Sequence, residues 1–446
     1  MRAEIQRALI SFSLFLTMGC QPPGGDSSSP AGSISTTTGT AASFQNTIVR
    51  SATPSRTLPF SQDNRLSYCE SKSGQIGTYS GVRDLTPYPL ASLSKLFVTA
   101  WALKKLGPDY RFKTQLRYRL NGDGTIDAAL TTGYDPVVNI EKIFYLLSLL
   151  EQKNIQGIRN LYIDTTTRVY ISVLNNPHTE LVDVPVSLEQ SVQNLGLILN
   201  SQNWAGQSAQ ARQNLKGISI PTNFFVRKVQ VLSDGDFKKL PFDQVIEFRS
   251  AILAKYLKNI NTTSNNYITD ALFQFLGGES EFLKFQISDL GVKKSELVFR
   301  TGSGLPLINS LGRFDNMGSC YSVLKTLKYL DLITKYYQIN LGHLLLTAGL
   351  DQGTYDSQLQ PPVPFNKNVV FKTGRLYDVP TLNLAGLVSL KNGQSMYFAT
   401  MFHDFDNLDE VTLKNQRDQL LASLLKLSLT DSNYLTMPLD TLYFKP

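Results

Sequence analysis

The chain has 446 residues and carries 43 Lys and Arg against 36 Asp and Glu, for a net charge of +7, with three His and three Cys. That length allows two or three domains and a well-buried core. A basic balance favours an anionic partner or surface. Yet the basic residues are scattered, in runs no longer than pairs such as Lys104-Lys105 and Lys293-Lys294, and no basic arm or aromatic RNA-reading stretch points to a nucleic acid.

In chain order, the first element is a targeting segment. Arg2 and Arg7 form a positive start, Ala8 to Leu16 is an apolar run too short to span a bilayer, and Gly19-Cys20 follows. This pattern resembles a bacterial lipobox, which implies lipidation of Cys20 and a membrane anchor; a plain secretory signal is the alternative, and both imply export to the cell envelope or periplasm. Residues 21–58, with Ser-Ser-Ser-Pro and Thr-Thr-Thr-Gly and almost no charge, read as a flexible linker. Cys69 and Cys320 are left either to bridge in an oxidising compartment or to remain buried thiols.

Arg65–Tyr68 and Gln75–Tyr79 alternate around Ser-Lys-Ser-Gly and read as a hairpin. Ser92 to Leu106 is apolar on most faces, which predicts a buried helix stopped by Gly107-Pro108. Thr114–Leu120 and Thr125–Thr131 flank Asn121-Gly122-Asp123-Gly124, a second hairpin. Helices are expected over Ile140–Lys153, Phe242–Ile260, Tyr267–Phe275 and Tyr321–Tyr329. Val369–Lys372, Leu384–Leu390 and Ser395–Phe402 read as adjacent antiparallel strands, and Asn415–Leu427 as a closing helix. Helices grouped with antiparallel strands argue for an α+β fold.

The three histidines, His178, His343 and His403, form no metal-ligand spacing, and there is no Gly-x-Ser-x-Gly elbow. No metal or cofactor is implied. A serine hydrolase built on this chain needs a base other than histidine, and lysine is the known substitute. Ser-x-x-Lys sets hydroxyl and amine one helical turn apart. It occurs at Ser92/Lys95, Ser322/Lys325 and Ser423/Lys426, so context must choose among them. Taken singly, Ser92 and Ser264 are each read as helix N-caps.

The context is an ordered set. Ser92-Leu93-Ser94-Lys95 opens the buried helix; Ser264-Asn265-Asn266 precedes another; Thr301-Gly302-Ser303-Gly304-Leu305 follows; and Lys372-Thr373-Gly374 occurs once in the chain. A second Ser-x-Asn, Ser201/Asn203, stands outside this order. The set resembles the class C low-molecular-mass penicillin-binding proteins, the penicillin-binding protein 4 type of D-alanyl-D-alanine carboxypeptidase/endopeptidase, over roughly residues 64–403. The resemblance implies a β-lactamase/transpeptidase-like domain, residues 59–115 and 242–446, interrupted by a smaller inserted domain, 116–241. Gly133-Tyr134-Asp135-Pro136 resembles a turn near that insertion, and Asn160 to Asp164 one of its strands.

The resemblance also assigns roles. Ser92 is the nucleophile and Lys95 its base, helped by the positive charge of Lys372; Ser264 and Lys372 pass the proton to the leaving amine. Asn266 holds a substrate amide and Thr373 its terminal carboxylate, with Gly374 and Asp164 also on the substrate side. The backbone N–H groups of Ser92 and Arg375 form the oxyanion hole. Where the family carries a Ser or Thr hydroxyl after Lys-Thr-Gly, this chain has Arg375, which is expected to clamp a carboxylate. Implied partners are peptidoglycan stem peptides and β-lactams. A catalytically weak peptidoglycan-binding protein of the same fold, or a β-lactamase or esterase relative, are the alternatives.

Overall fold

The apolar residues sort into two large clusters, each built on its own sheet. The computed structural model describes residues 49–50, 64–72, 78–169, 187–200, 202, 204–221, 224–351, 353–354, 367–391, 394–404, 409–425 and 434–437. Its elements begin with β1 (Val49–Arg50), β2 (Leu66–Lys72), β3 (Thr78–Val82), β4 (Pro87–Pro89), α1 (Ser94–Leu106), β5 (Lys113–Leu120) and β6 (Thr125–Thr131). Next come α2 (Ile140–Glu151), β7 (Gly157–Ile163), α3 (Leu188–Ile198), α4 (Trp204–Asn214), β8 (Phe225–Val231), α5 (Asp234–Lys238) and β9 (Gln244–Arg249). Then follow α6 (Leu253–Thr263), α7 (Asn266–Phe275), α8 (Gly278–Ser288), β10 (Leu297–Val298), β11 (Leu307–Asn309), β12 (Gly312–Phe314) and β13 (Met317–Ser319). The chain closes with α9 (Cys320–Tyr336), β14 (Leu346–Thr347), β15 (Val369–Leu376), β16 (Thr381–Ser389), β17 (Ser395–His403) and α10 (Asp409–Leu425).

The larger sheet runs β1-β3-β2-β17-β16-β15-β14, antiparallel except where β1 meets β3. All nine residues of β16 are buried, because helices cover both faces. Alternation along β15 sends Val369 and Phe371 into a cluster with Leu421 and Leu424 of α10, and Val370 into the main cluster with α1, α6, α7, α8 and α9. Lys372 therefore shares the face of Val370. Helix α1 is buried from Ser94 through Leu103, as its all-round apolar sequence requires. Cys69 of β2 and Cys320 at the start of α9 form a disulfide, with Cα atoms 6.0 Å apart.

The second sheet runs β8-β7-β6-β5-β9 and mixes parallel with antiparallel pairs, its apolar side filled from α2, α3 and α4. Two expectations are corrected here. The helix read over Phe242–Ile260 begins only at Leu253; Gln244–Arg249 is instead strand β9, paired to β5, with Ile246 and Phe248 buried between exposed neighbours. That two-residue alternation is a strand signal hidden inside a stretch of mixed apolar and charged residues. The same pairing makes β9 the edge strand of the five-stranded sheet. Val49–Arg50, inside the presumed linker, pairs in parallel with Thr78–Tyr79 of β3, whose outer edge offers free backbone groups. The signal segment, Cys20 and the rest of the linker lie outside the described residues.

Where the two sheets' clusters meet, Lys142 of α2 and Asp135 form an ion pair at 2.5 Å with both side chains fully buried. The Tyr256 hydroxyl of α6 donates to Asp135 Oδ1 at 2.8 Å, and Val137 N donates to the same oxygen at 2.9 Å. The Gly-Tyr-Asp-Pro turn thus ties α2, which packs on the five-stranded sheet, to α6, the helix that leads to Ser264.

Candidate active site

Ser92 lies in a single 3-10 turn, Ala91–Leu93, that runs directly into α1. Two left-handed residues shape the site: Ala91, just before the serine, has φ +48°, and Ser264, between α6 and α7, has φ +59°. Non-glycine residues adopt this region only when the surroundings hold them there, a cost common at functional sites. Those surroundings are visible. Asn383 of β16 donates to the carbonyls of Pro89 and Leu90 at 2.9 and 3.1 Å. Asn316 donates to Ser94 Oγ at 2.9 Å and to Thr301 O at 2.7 Å, while its Oδ1 accepts from Arg300 N and Thr301 N. A Cβ at Gly304 would stand 1.9 Å from Ala91 O, so only glycine fits there. Gly374 is similarly close, its ideal Cβ falling 3.0 Å from Leu90 O and 3.2 Å from Leu93 N, which lets β15 lie against the serine turn.

Lys95, fully buried, reaches three oxygens: Ser92 Oγ at 2.9 Å, Asn266 Oδ1 at 2.7 Å and Ser303 O at 2.8 Å. Lys372, also fully buried, donates to Ser264 Oγ at 3.0 Å and to its neighbour's carbonyl, Thr373 O, at 2.9 Å. Burial, reinforced by repulsion from Lys95, pushes Lys372 well below the ordinary lysine range. Asp270, one turn beyond Asn266 on α7, accepts from Ser303 N at 2.7 Å and so fixes the loop whose carbonyl holds Lys95. Burial raises the Asp270 carboxyl, against the opposing pull of the Ser303 bonds and the Lys95 charge.

Ser92, Lys95, Ser264, Asn266, Lys372, Thr373 and Gly374 are thus brought together from three places in the chain. Among the described residues, the other Ser-x-x-Lys positions make bonds elsewhere. Ser322 Oγ donates to Ser319 O and Lys325 to Gly291 O, and Ser423 Oγ donates to Leu420 O. Lys426, Ser201 and Asn203 lie outside the described residues.

Two candidates are turned elsewhere. Arg375, expected to clamp a substrate carboxylate, has its guanidinium against Glu410 of α10 at 2.5 Å and stacked 4.1 Å from the Tyr377 ring. Asp164 follows β7 of the second sheet, and its Oδ1 accepts from the backbone N–H and hydroxyl groups of Thr166 and Thr167. This is a turn-closing carboxylate. Sequence reasoning passed over Asp270, Asn316, Asn383 and Thr354, whose hydroxyl meets that of Thr373 at 3.2 Å. An isolated carboxylate or amide in an apolar stretch was the one signal available for Asp270 and Asn383; Asn316 and Thr354 offered none.

A serine bonded to a lysine one turn along a buried helix, with no histidine partner among the described residues, makes this a lysine-assisted serine hydrolase fold rather than a Ser-His-Asp one. The D-Ala-D-Ala carboxypeptidase 3 (S13) family profile matches residues 71–172 and 183–424. The chain belongs to that family and is a serine peptidase. Among solved structures, it is similar to Bd0816, a predatory endopeptidase from Bdellovibrio bacteriovorus in complex with the immunity protein Bd3460, at 26% identity and TM-score 0.70, over 85% of this chain and 98% of that one. Bd3459, a predatory peptidoglycan endopeptidase from the same organism, gives 25% identity, TM-score 0.70 and the same coverage. Penicillin binding protein 4 from Haemophilus influenzae shares the fold at 19% identity and TM-score 0.54, over 80% of this chain and 96% of that one. No curated protein matches the chain at a significant level.

Proposed function

We propose that this chain is a serine D,D-peptidase that hydrolyses D-Ala-D-Ala, or the equivalent cross-link amide, in peptidoglycan peptides through an acyl-Ser92 intermediate, and that β-lactams acylate the same oxygen. The observation that carries this reading is the set of three oxygens around Lys95 Nζ. A neutral amine has two N–H bonds and one lone pair. Asn266 Oδ1 and Ser303 O accept the two protons, which aims the lone pair at the Ser92 hydroxyl.

The Ser92 proton passes to Lys95 as Oγ attacks the substrate carbonyl, and the carbonyl π electrons move to its oxygen. The backbone N–H groups of Ser92 and Arg375 are the donors assigned to that oxyanion. Collapse of the tetrahedral intermediate breaks the C–N bond, and the leaving amine takes up the proton that Lys95 gained, relayed through the Ser264–Lys372 pair, which is already bonded at 3.0 Å, so that Lys95 ends neutral again. Water then attacks acyl-Ser92, returning a proton to Oγ and releasing the shortened peptide. A solved form of Bd3459 is acylated by penicillin G, which supports β-lactams as Ser92 reagents. The lipobox-like Gly19-Cys20 supports export and lipid attachment at Cys20, so that the enzyme works at the cell envelope.

Intact-mass analysis after incubation with penicillin G tests the assignment. One adduct is expected on the wild type and none on Ser92→Ala. An adduct that survives in Ser92→Ala, or that requires Ser322 or Ser423, overturns it.

A further inference from the structure

The family's second carboxylate-binding hydroxyl, the one after Lys-Thr-Gly, is missing here, and Arg375 in its place is engaged with Glu410. Thr373 is then the single hydroxyl that this strand offers beside Lys372. A second hydroxyl nevertheless stands next to it, from a different part of the chain: Thr354 Oγ1 lies 3.2 Å from Thr373 Oγ1.

Thr354 is held in place by a network that ends at the site itself. Its backbone N–H donates to Thr262 O at 3.1 Å, in the last turn of α6 just before Ser264. Gly353 packs so closely on that carbonyl that a Cβ there would be 2.4 Å away. Upstream, Asp351 Oδ2 accepts from Lys258 Nζ at 2.5 Å and from Thr347 N at 2.6 Å. Lys258, fully buried on α6, also donates to the carbonyls of Gly342 and Leu345, at 2.7 Å each. A buried ion pair of this kind is weak evidence for stability, but it specifies the position of a loop. The loop so specified places Thr354 between the Ser264 turn and the Lys-Thr-Gly strand.

We propose that Thr354 and Thr373 together bind the free α-carboxylate of the D-amino acid that leaves during acylation, with Thr354 supplying the hydroxyl that other family members take from the residue after Lys-Thr-Gly. This rests on the D,D-peptidase reading above. Each hydroxyl rotates to suit its partner, so the pair exchanges one internal hydroxyl–hydroxyl bond for two charge-assisted O–H···O⁻ bonds to the carboxylate. An endopeptidase substrate offers the same carboxylate where the cross-linking amine sits on the D-centre of a diamino diacid.

The test compares kcat/KM on an acyl-D-Ala-D-Ala peptide with a free carboxylate and on the same peptide as its C-terminal amide, in wild type, Thr354→Val and Thr354→Ser. The carboxylate-to-amide ratio is expected to fall about tenfold or more in Thr354→Val, as for loss of one hydrogen bond to a charged group, and to stay near wild type in Thr354→Ser. An unchanged ratio in Thr354→Val, including equal losses on both peptides, overturns the proposal while leaving the peptidase reading intact. A wild type that cleaves neither peptide and takes no penicillin on Ser92 overturns both.

Discussion

Lys95 Nζ donates to Asn266 Oδ1 across 2.7 Å, joining side chains 171 positions apart in the sequence. The contact matters because it occupies one of the two N–H bonds of the neutral amine and so directs the lone pair. A carboxylate at the same place would instead favour the ammonium form. Asn266→Asp is therefore expected to slow acylation by penicillin about 10²- to 10⁴-fold at pH 7, the usual range for a lost general base. It should also move the rising limb of the pH–rate profile to higher pH. Acylation rates measured from pH 6 to 10 check this, and a profile that superimposes on wild type sinks it.

Lys372 sits below the ordinary lysine value of 10.5 because it is fully buried and because Lys95, whenever protonated, repels its charge. Between its depressed folded value and 10.5 the unfolded chain binds the extra proton, so this residue makes stability rise with pH across that window. Below the window, protonating it in the fold opposes burial. Lys372→Met should remove that penalty and raise the Tm at pH 7 by on the order of a few degrees, while abolishing turnover. Thermal unfolding at pH 7 decides it; a lower Tm would mean the charged form is fully compensated in the fold.

The Asp135–Lys142 pair is completely buried and bridged by Tyr256. Lys142→Met strands a buried carboxylate, for which a loss of about 3–5 kcal/mol is expected. The double variant Asp135→Asn/Lys142→Met should recover much of it. Urea unfolding of the three proteins measures both effects. Equal losses in the single and double variants would show that packing, not the charge pair, holds the module.

Much of this arrangement was legible in the sequence because it is local. The Asn121 to Gly124 turn marks its hairpin, and the three C-terminal strands and the all-apolar helix after Ser92 announce themselves by period. The order of the Ser-x-x-Lys, Ser-x-Asn and Lys-Thr-Gly motifs singled out, among three candidates, the serine that the fold sets against Lys95. What stayed hidden depends on partners that only the fold supplies. Arg375 reads as a free cation until α10 brings Glu410 to it. Asp164 reads as a substrate carboxylate until the two threonines after it close the turn. Thr354 carries no signal, since its position is set by a lysine on α6 and by Thr262 of the same helix. Strand β9 was missed because its two-residue alternation covers only Ile246 and Phe248.

The Cys69–Cys320 bond spans 251 positions and closes the chain into a ring. Ser92, Lys95, Ser264 and Asn266 all lie on that ring, together with the whole five-stranded module, whereas Lys372 and Thr373 lie on the tail beyond it. Topologically, the module is an arc of the ring and not an appendage. A single cut anywhere in that arc leaves the segment bearing the nucleophile and the segment bearing Ser264 parts of one covalent molecule. They separate only when the bridge is reduced as well.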